Sequence, residues 1–163
     1  RMATFILLSA MPGSGKSTWA KKYQNEHSNV EIVASDDIRE KLNGDAGDQS
    51  NPKLIWEEFK RQILAHEKGE DITVIGDSTN LSNYFRIYYA NLAEAHYDKL
   101  VLVWFDVPYP VSLERNLSRK GRVVPIEAME RLKKEYEPLS EEACSRYEEI
   151  YSVDERGITT RIK

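Results

Sequence analysis

Cysteine is nearly absent: Cys144 is the one thiol in 163 residues. That excludes an internal disulfide framework and a multi-cysteine zinc site, and it predicts no disulfide-linked partner. The three histidines, His27, His66 and His96, do not stand at metal-ligand spacing. No apolar run approaches the roughly 18 residues a membrane-spanning helix needs, so no membrane contact is expected. The first apolar strand also begins too near the N-terminus to leave room for a secretory leader, which gives a cytoplasmic expectation. Positive charge is not in excess either, with 23 basic against 27 acidic residues and a net charge of −4. Proteins that coat long nucleic acid are usually basic, so any such contact here is expected at an end or a short strand. Repeats, low-complexity tracts and linkers are missing, and the length suits one domain over 1–163.

What is present is a sharply ordered set of polar clusters placed after apolar strands. The run Phe5-Ile6-Leu7-Leu8 leads directly into Ala10-Met11-Pro12-Gly13-Ser14-Gly15-Lys16-Ser17-Thr18. This fits the phosphate-loop template G-x-x-x-x-G-K-[ST], with Ala10 at the first glycine position. Glycines at 13 and 15 let backbone N–H groups turn inward around phosphate oxygens, and the following helix aims its positive end at them. Pro12, Gly13, Ser14, Gly15, Lys16, Ser17 and Thr18 are therefore the expected nucleotide-phosphate site. Lys16 is placed to reach the β- and γ-phosphates, and the Ser17 hydroxyl to hold Mg²⁺.

The remaining pattern alternates. Strands are expected at Phe5–Ser9, Val30–Ala34, Ile72–Ile75 and Leu100–Phe105, with an edge strand near Ile150–Val153. Helices are expected over Lys16–Glu26, over Asp36–Leu42 capped by Ser35, from Pro52 to Glu67, from Ser82 to about His96, from Pro110 to about Ser118, and from Pro125 on. A short acidic helix follows Ser140, and the tail from Gly157 reads as strand or disorder. This is an α/β chain with a parallel sheet and helices on both faces. Ligands of such sheets bind at the carboxyl ends of the strands.

Three clusters fall at those ends. In Ser35-Asp36-Asp37-Ile38-Arg39, Asp36 stands where a base would accept a hydroxyl proton, and Arg39 one turn on could clamp an anionic acceptor. The same acids also suit a plain helix N-terminus. In Asp77-Ser78-Thr79-Asn80, Asp77 can act through water on Mg²⁺ or bind the acceptor, and Asn80 can bond substrate or tie two loops. Thr79 and Asn80 equally fit a capping turn. Arg86, seven residues after Thr79, is a further acceptor-binding candidate or an exposed ion pair. Last comes the basic run Arg115, Arg119, Lys120 and Arg122. From a mobile loop, such an arginine stabilises the charge of a transferring phosphoryl group, whereas a solvated face is the plainer reading. Trp19, Trp56 and Trp104 read as core rather than stacking platforms.

Taken in order, AMPGSGKSTWA, SDDIR, DSTNLS, FDVP and RNLSRKGRVVP resemble the kinase domain of phage-type polynucleotide 5′-hydroxyl kinases, over roughly residues 4 to 137. The resemblance implies a P-loop NTPase fold with a short helical lid at about 115–137. It implies transfer of the ATP γ-phosphate, with Mg²⁺, to a 5′-OH end of RNA or DNA. Position by position, Lys16 and Ser17 match the phosphate and metal residues, Asp36 the general base, and Arg39 the contact to an acceptor phosphate. Arg119 matches the lid arginine, with Arg115 alongside, and Asp77 falls near the acceptor-site aspartate. The phage enzymes continue into a phosphatase domain beyond this point, so no 3′-phosphatase is expected. The same core pattern is similar to small-molecule kinases and to zeta-toxin-like sugar-nucleotide kinases, which would take a small hydroxyl-bearing metabolite. A nucleotide-binding switch without transfer activity is the third reading.

Overall fold

A computed structural model describes residues 1–163. Six strands form one sheet: β1 (Ala3–Ser9), β2 (Val30–Ala34), β3 (Ile72–Asp77), β4 (Lys99–Phe105), β5 (Glu149–Val153) and β6 (Thr159–Arg161). Their order in space is β2-β3-β1-β4-β5-β6. All pairs are parallel except β5–β6. The helices are α1 (Lys16–Glu26), α2 (Ser35–Asn43), α3 (Pro52–Ile63), α4 (Asn83–Ala93), α5 (Tyr109–Leu117), α6 (Ile126–Glu135) and α7 (Glu141–Ser145).

Alternation along β1 divides the core. Phe5 and Leu7 point into the larger cluster, with Ile55, Phe59 and Ile63 of α3 and Tyr89, Ala90 and Ala93 of α4. Ile6 and Leu8 point the other way, onto Ala20 of α1 together with Val101, Val103 and Val153. Successive side chains of a strand face opposite sides, so a central strand between two helix layers must be apolar throughout. The sheet is thus flanked on both faces, as the periodicity requires. No helix is long and apolar enough to cross a membrane.

Some boundaries move from their expected places. Ser35 is the first residue of α2 rather than its cap, and Ala34 stands at the cap position without a side-chain bond. Helix α3 stops at Ile63, four residues short, where the Tyr97 hydroxyl donates to the freed Ile63 carbonyl at 2.5 Å. Strand β5 is not an edge. The tail folds back, Asp154 accepts from the Ile158 N–H at 3.0 Å, and β6 covers β5.

The turn after α3 contains a pH-sensitive contact. His66 faces Glu31 of β2 at 2.6 Å and Glu70 at 3.0 Å. Burial alone would lower the His66 pKa, but hydrogen bonds to the two carboxylates outweigh it and raise the value above 6.5. The folded state therefore holds a proton the unfolded chain releases. Its contribution is complete below the ordinary histidine pKa and is lost as pH rises through the raised one. The melting temperature is expected to fall across that window, and His66→Gln should flatten the dependence in thermal melts taken from pH 5.5 to 8.5.

Candidate active site

The phosphate loop is built by strand β1 ending and helix α1 starting on two left-handed glycines. Gly13 has φ 83° and Gly15 φ 99°. Ala10, in place of the template's first glycine, is fully buried and donates its N–H to the Thr79 carbonyl at 2.8 Å. Ser14 turns its hydroxyl back to the Met11 carbonyl at 2.6 Å. Pro12 and Ser14 are thus buried supports, while Gly15, Ser17 and Thr18 are exposed at the α1 N-terminus. Helix N-termini with free N–H groups bind phosphate.

Asp77 closes this loop from below. It ends β3, is 5% exposed, and accepts from Lys16 Nζ at 2.9 Å and from Ser17 Oγ at 3.3 Å. A serine hydroxyl beside a carboxylate, open to solvent and to phosphate oxygens, is the donor set Mg²⁺ takes in such sites. Ser17 and Asp77 would hold the ion, which supplies charge neutralisation at the phosphates.

Asp36 lies on the adjacent strand end, because Ala34 pairs with Asp77 and Asp36 follows two residues later. A cavity of about 320 Å³ joins the two, lined by Lys16, Ser17, Lys21, Asp36, Asp37 and Asp77 among others. Asp36 Oδ1 accepts from Arg39 at 2.8 Å and also from Arg122 of the basic loop. Its other oxygen accepts no hydrogen bond from the protein. Arg39 is 11% exposed, and burial, its largest influence, lowers its pKa against the opposing charge of Asp36.

The basic run itself lies between α5 and α6. Arg119 donates through one Nη to Asn116 Oδ1 at 3.1 Å, while its buried Nε has no partner. Burial lowers its pKa despite nearby Asp36. Arg115 donates to the Glu155 carbonyl at 2.5 Å. That bond bridges α5 and the β5–β6 turn, and Arg115 is exposed beside it rather than set in the phosphate loop.

Two of the acceptor candidates lie in the interior. Arg86 is 0% exposed and donates to Ser9 Oγ at 3.1 Å and Asn83 Oδ1 at 2.8 Å. Asn80 is 5% exposed, sits at φ 45°, and donates to the Leu8 carbonyl at 2.8 Å. Both support the end of β1 through these bonds to Ser9 and Leu8. Arg86 keeps one buried Nη without a partner.

The AAA_33 family, described as an AAA domain, matches residues 6–139. The chain belongs to this family. The L-seryl-tRNA(Sec) kinase of Methanococcus maripaludis is 28% identical over 142 residues, covering 81% of this chain and 52% of that protein. The chain spans about half the length of that relative. In structure it is similar to a chain of the Pnkp1/Rnl/Hen1 RNA repair complex, with a TM-score of 0.69 and 23% identity over 83% of this chain and 44% of the other. A gluconokinase from Sinorhizobium meliloti 1021 gives a TM-score of 0.62 and 17% identity, over 93% and 82%. These likenesses show the fold, which is that of the P-loop kinases.

In this AAA_33 domain one residue stands out that the motifs did not single out for a role. Asn116 is fully buried, donates to the Val124 carbonyl at 2.7 Å and accepts from the Val124 N–H at 3.0 Å. It ties the far end of the basic loop back to α5, a role that its place in the motif RNLSRKGRVVP did not by itself reveal. Arg122, rather than Arg119, touches Asp36. Val124 then packs with Met11, Leu81 and Met129, tying this loop to the phosphate loop.

Gly13 is the tightest point of the site. A Cβ there would meet the Ser112 carbonyl of α5 at 2.2 Å and the Asn116 N at 2.9 Å. Gly15, also left-handed, has nothing within 4 Å. The left-handed backbone and the clash with backbone atoms together predict that Gly13→Ala costs about 2–5 kcal/mol. Gly15→Ala should cost only the conformational part, about 1–2 kcal/mol. Denaturant unfolding of the two variants checks the difference.

Proposed function

We propose that this domain is an ATP- and Mg²⁺-dependent kinase that transfers the γ-phosphate to a hydroxyl, and that the hydroxyl is the 5′-OH end of RNA or DNA. The carrying observation is Asp36, bonded through one oxygen to two guanidiniums and sharing a cavity with Lys16 and Ser17. Asp36 takes the proton of the acceptor hydroxyl as its oxygen bonds to the γ-phosphorus. The bond to the β-bridging oxygen breaks, and ADP leaves with that electron pair. Lys16 and Arg119 offset the charge spread over the transferring group. Arg39 grips the acceptor's own phosphate. Residues about 115–137 act as the lid over this centre.

The nucleic-acid acceptor is supported by the ordered motif set and by Arg39 beside the base. It is supported too by a relative named as a kinase of seryl-tRNA, whose acceptor is attached to RNA. The test is transfer of labelled γ-phosphate to a 5′-OH oligonucleotide, run beside nucleosides, sugars and sugar acids. Label on the oligonucleotide alone supports the proposal, and label on a metabolite alone overturns the acceptor.

One observation favours a second reading. The cavity of about 320 Å³ beside Asp36 has the size of a small-ligand site, which suits a compact anionic metabolite. ATP binding abolished by Lys16→Ala, with no product from any acceptor, would leave a nucleotide-binding switch instead.

A further inference from the structure

Helix α4 packs inward through Arg86, Tyr89, Ala90 and Ala93, yet its first two turns turn three rings outward. Tyr84 is 68% exposed and Phe85 47%, and Tyr88 is half-buried. Tyr84 stacks near Tyr88, with centroids 6.2 Å apart and planes at 14°, and stands edge-on to Phe85 at 5.2 Å. Grouped in this way, the rings form one contiguous exposed aromatic patch. From α3, Lys60 donates to the Tyr88 hydroxyl at 3.2 Å, with its ammonium 5.8 Å from the centre of the ring.

A path of ring contacts runs from this surface through the core toward the candidate active site. Buried Phe59 and Tyr89 link Tyr88 to Trp56 through edge-to-face contacts of 5.1, 5.6 and 5.5 Å. The Arg39 guanidinium lies 5.5 Å from the Trp56 ring centre and bonds Asp36. Helices α2 and α4 follow the carboxyl ends of the paired parallel strands β2 and β3, so the exposed first turns of α4 lie at the sheet end where Asp36 stands. Charge fits an anion as well. Helix α4 carries no acid between residues 83 and 93, and the carboxylate at its start, Glu137, is engaged by the Asn83 N–H at 2.9 Å. On α3, Glu57 and Glu58 are engaged by Lys53 and Arg61, whereas Lys60 has no carboxylate partner.

We propose that Tyr84, Phe85 and Tyr88 form a stacking platform for the single-stranded nucleic acid that follows an acceptor 5′-OH end, with Lys60 taking a backbone phosphate. Aromatic faces hold bases of any sequence, and an adjacent cation tracks the backbone. This rests on the polynucleotide reading above. It adds the expectation that acceptor affinity grows with strand length beyond the first nucleotide. It also reconciles an acidic chain with a nucleic-acid substrate, since stacking supplies affinity that net charge does not.

The test compares a 3′-phosphorylated mononucleoside with a ten-nucleotide 5′-OH strand as acceptors, for wild type and the double variant Tyr84→Ala/Phe85→Ala. Both side chains are exposed, so the variant is expected to fold, and a thermal melt verifies it. Wild type should show a KM for the ten-mer at least about tenfold lower than for the mononucleoside, at similar kcat. The double variant should raise the ten-mer KM about tenfold or more, leave kcat within twofold, and erase the length advantage. An unchanged ten-mer KM in the variant, or no length preference in wild type, overturns the platform. Fluorescence anisotropy with the ten-mer and no ATP separates this from the acceptor assignment. If wild type binds the strand through these rings but phosphorylates no oligonucleotide, the platform stands and the 5′-OH reading fails. If sedimentation shows these rings pairing two copies of the chain, with strand binding unaltered by the variant, the platform is overturned.

Discussion

Arg119→Ala is expected to slow phosphoryl transfer by about 10³–10⁵-fold, the range for an arginine that meets transition-state charge. The guanidinium is held half-buried by Asn116, and its buried Nε donates to nothing. An unsatisfied buried donor costs about 1–3 kcal/mol, which a phosphoryl oxygen would recover during the reaction. Arg119→Lys should rescue little, because an ammonium lacks the planar fork. Since the interaction strengthens as charge spreads, kcat should fall with little change in the ATP KM. The measurement is single-turnover transfer from labelled ATP. Arg122→Ala is the informative comparison, because Arg122 occupies Asp36. If Arg122→Ala loses about 10³-fold while Arg119→Ala stays within tenfold, the role at the phosphate belongs to Arg122.

Asp36→Asn should lower kcat by about 10²–10⁴-fold, the contribution of a well-placed base. Asparagine keeps the volume and can still accept from Arg39, so nucleotide binding and the thermal midpoint should hold. What disappears is the ability to take a proton from the acceptor oxygen. Asp37→Asn, one residue on and exposed, is expected to stay within about threefold. Equal losses at 36 and 37 would reduce both acids to partners of the α2 N-terminus. A wild-type rate in Asp36→Asn would remove this carboxylate from the chemistry.

The two variants probe a site whose parts differ in how they were assembled. Lys16, Ser17 and the glycines belong to one local turn. Asp77 and Asp36 are delivered by neighbouring strand ends, and their proximity follows from the parallel register of β2 and β3. Arg119 and Arg122 come from a loop whose place depends on Asn116 and on Val124 packing against Met11. Damage should therefore spread differently. Gly13→Ala is expected to disturb the whole centre through α5, whereas changes in the basic loop should spare nucleotide binding.

Much was legible in the chain because it is local. Strand periodicity, Pro52 near the start of α3 and the glycines of the phosphate loop act over a few residues. The elements appeared in the expected order, with ends shifted by a few positions. Arg86 was misjudged because counting seven residues from Thr79 gives a helix face without saying what that face meets. It faces the core, in the same stripe as Tyr89, Ala90 and Ala93. The outward rings at 84, 85 and 88 are apolar in composition like the buried ones, and composition alone cannot separate them.

Local chemistry thus prescribed the phosphate-gripping turn and the succession of strands and helices, since neighbouring residues suffice to favour each. Which cation meets Asp36, which polar side chains vanish into the interior and which tail strand seals the sheet were decided in three dimensions. Asp36 and Arg122 stand 86 residues apart. A contact across that distance exists only after the intervening elements have packed, because its partners are selected by the geometry of the core and not by the chain between them.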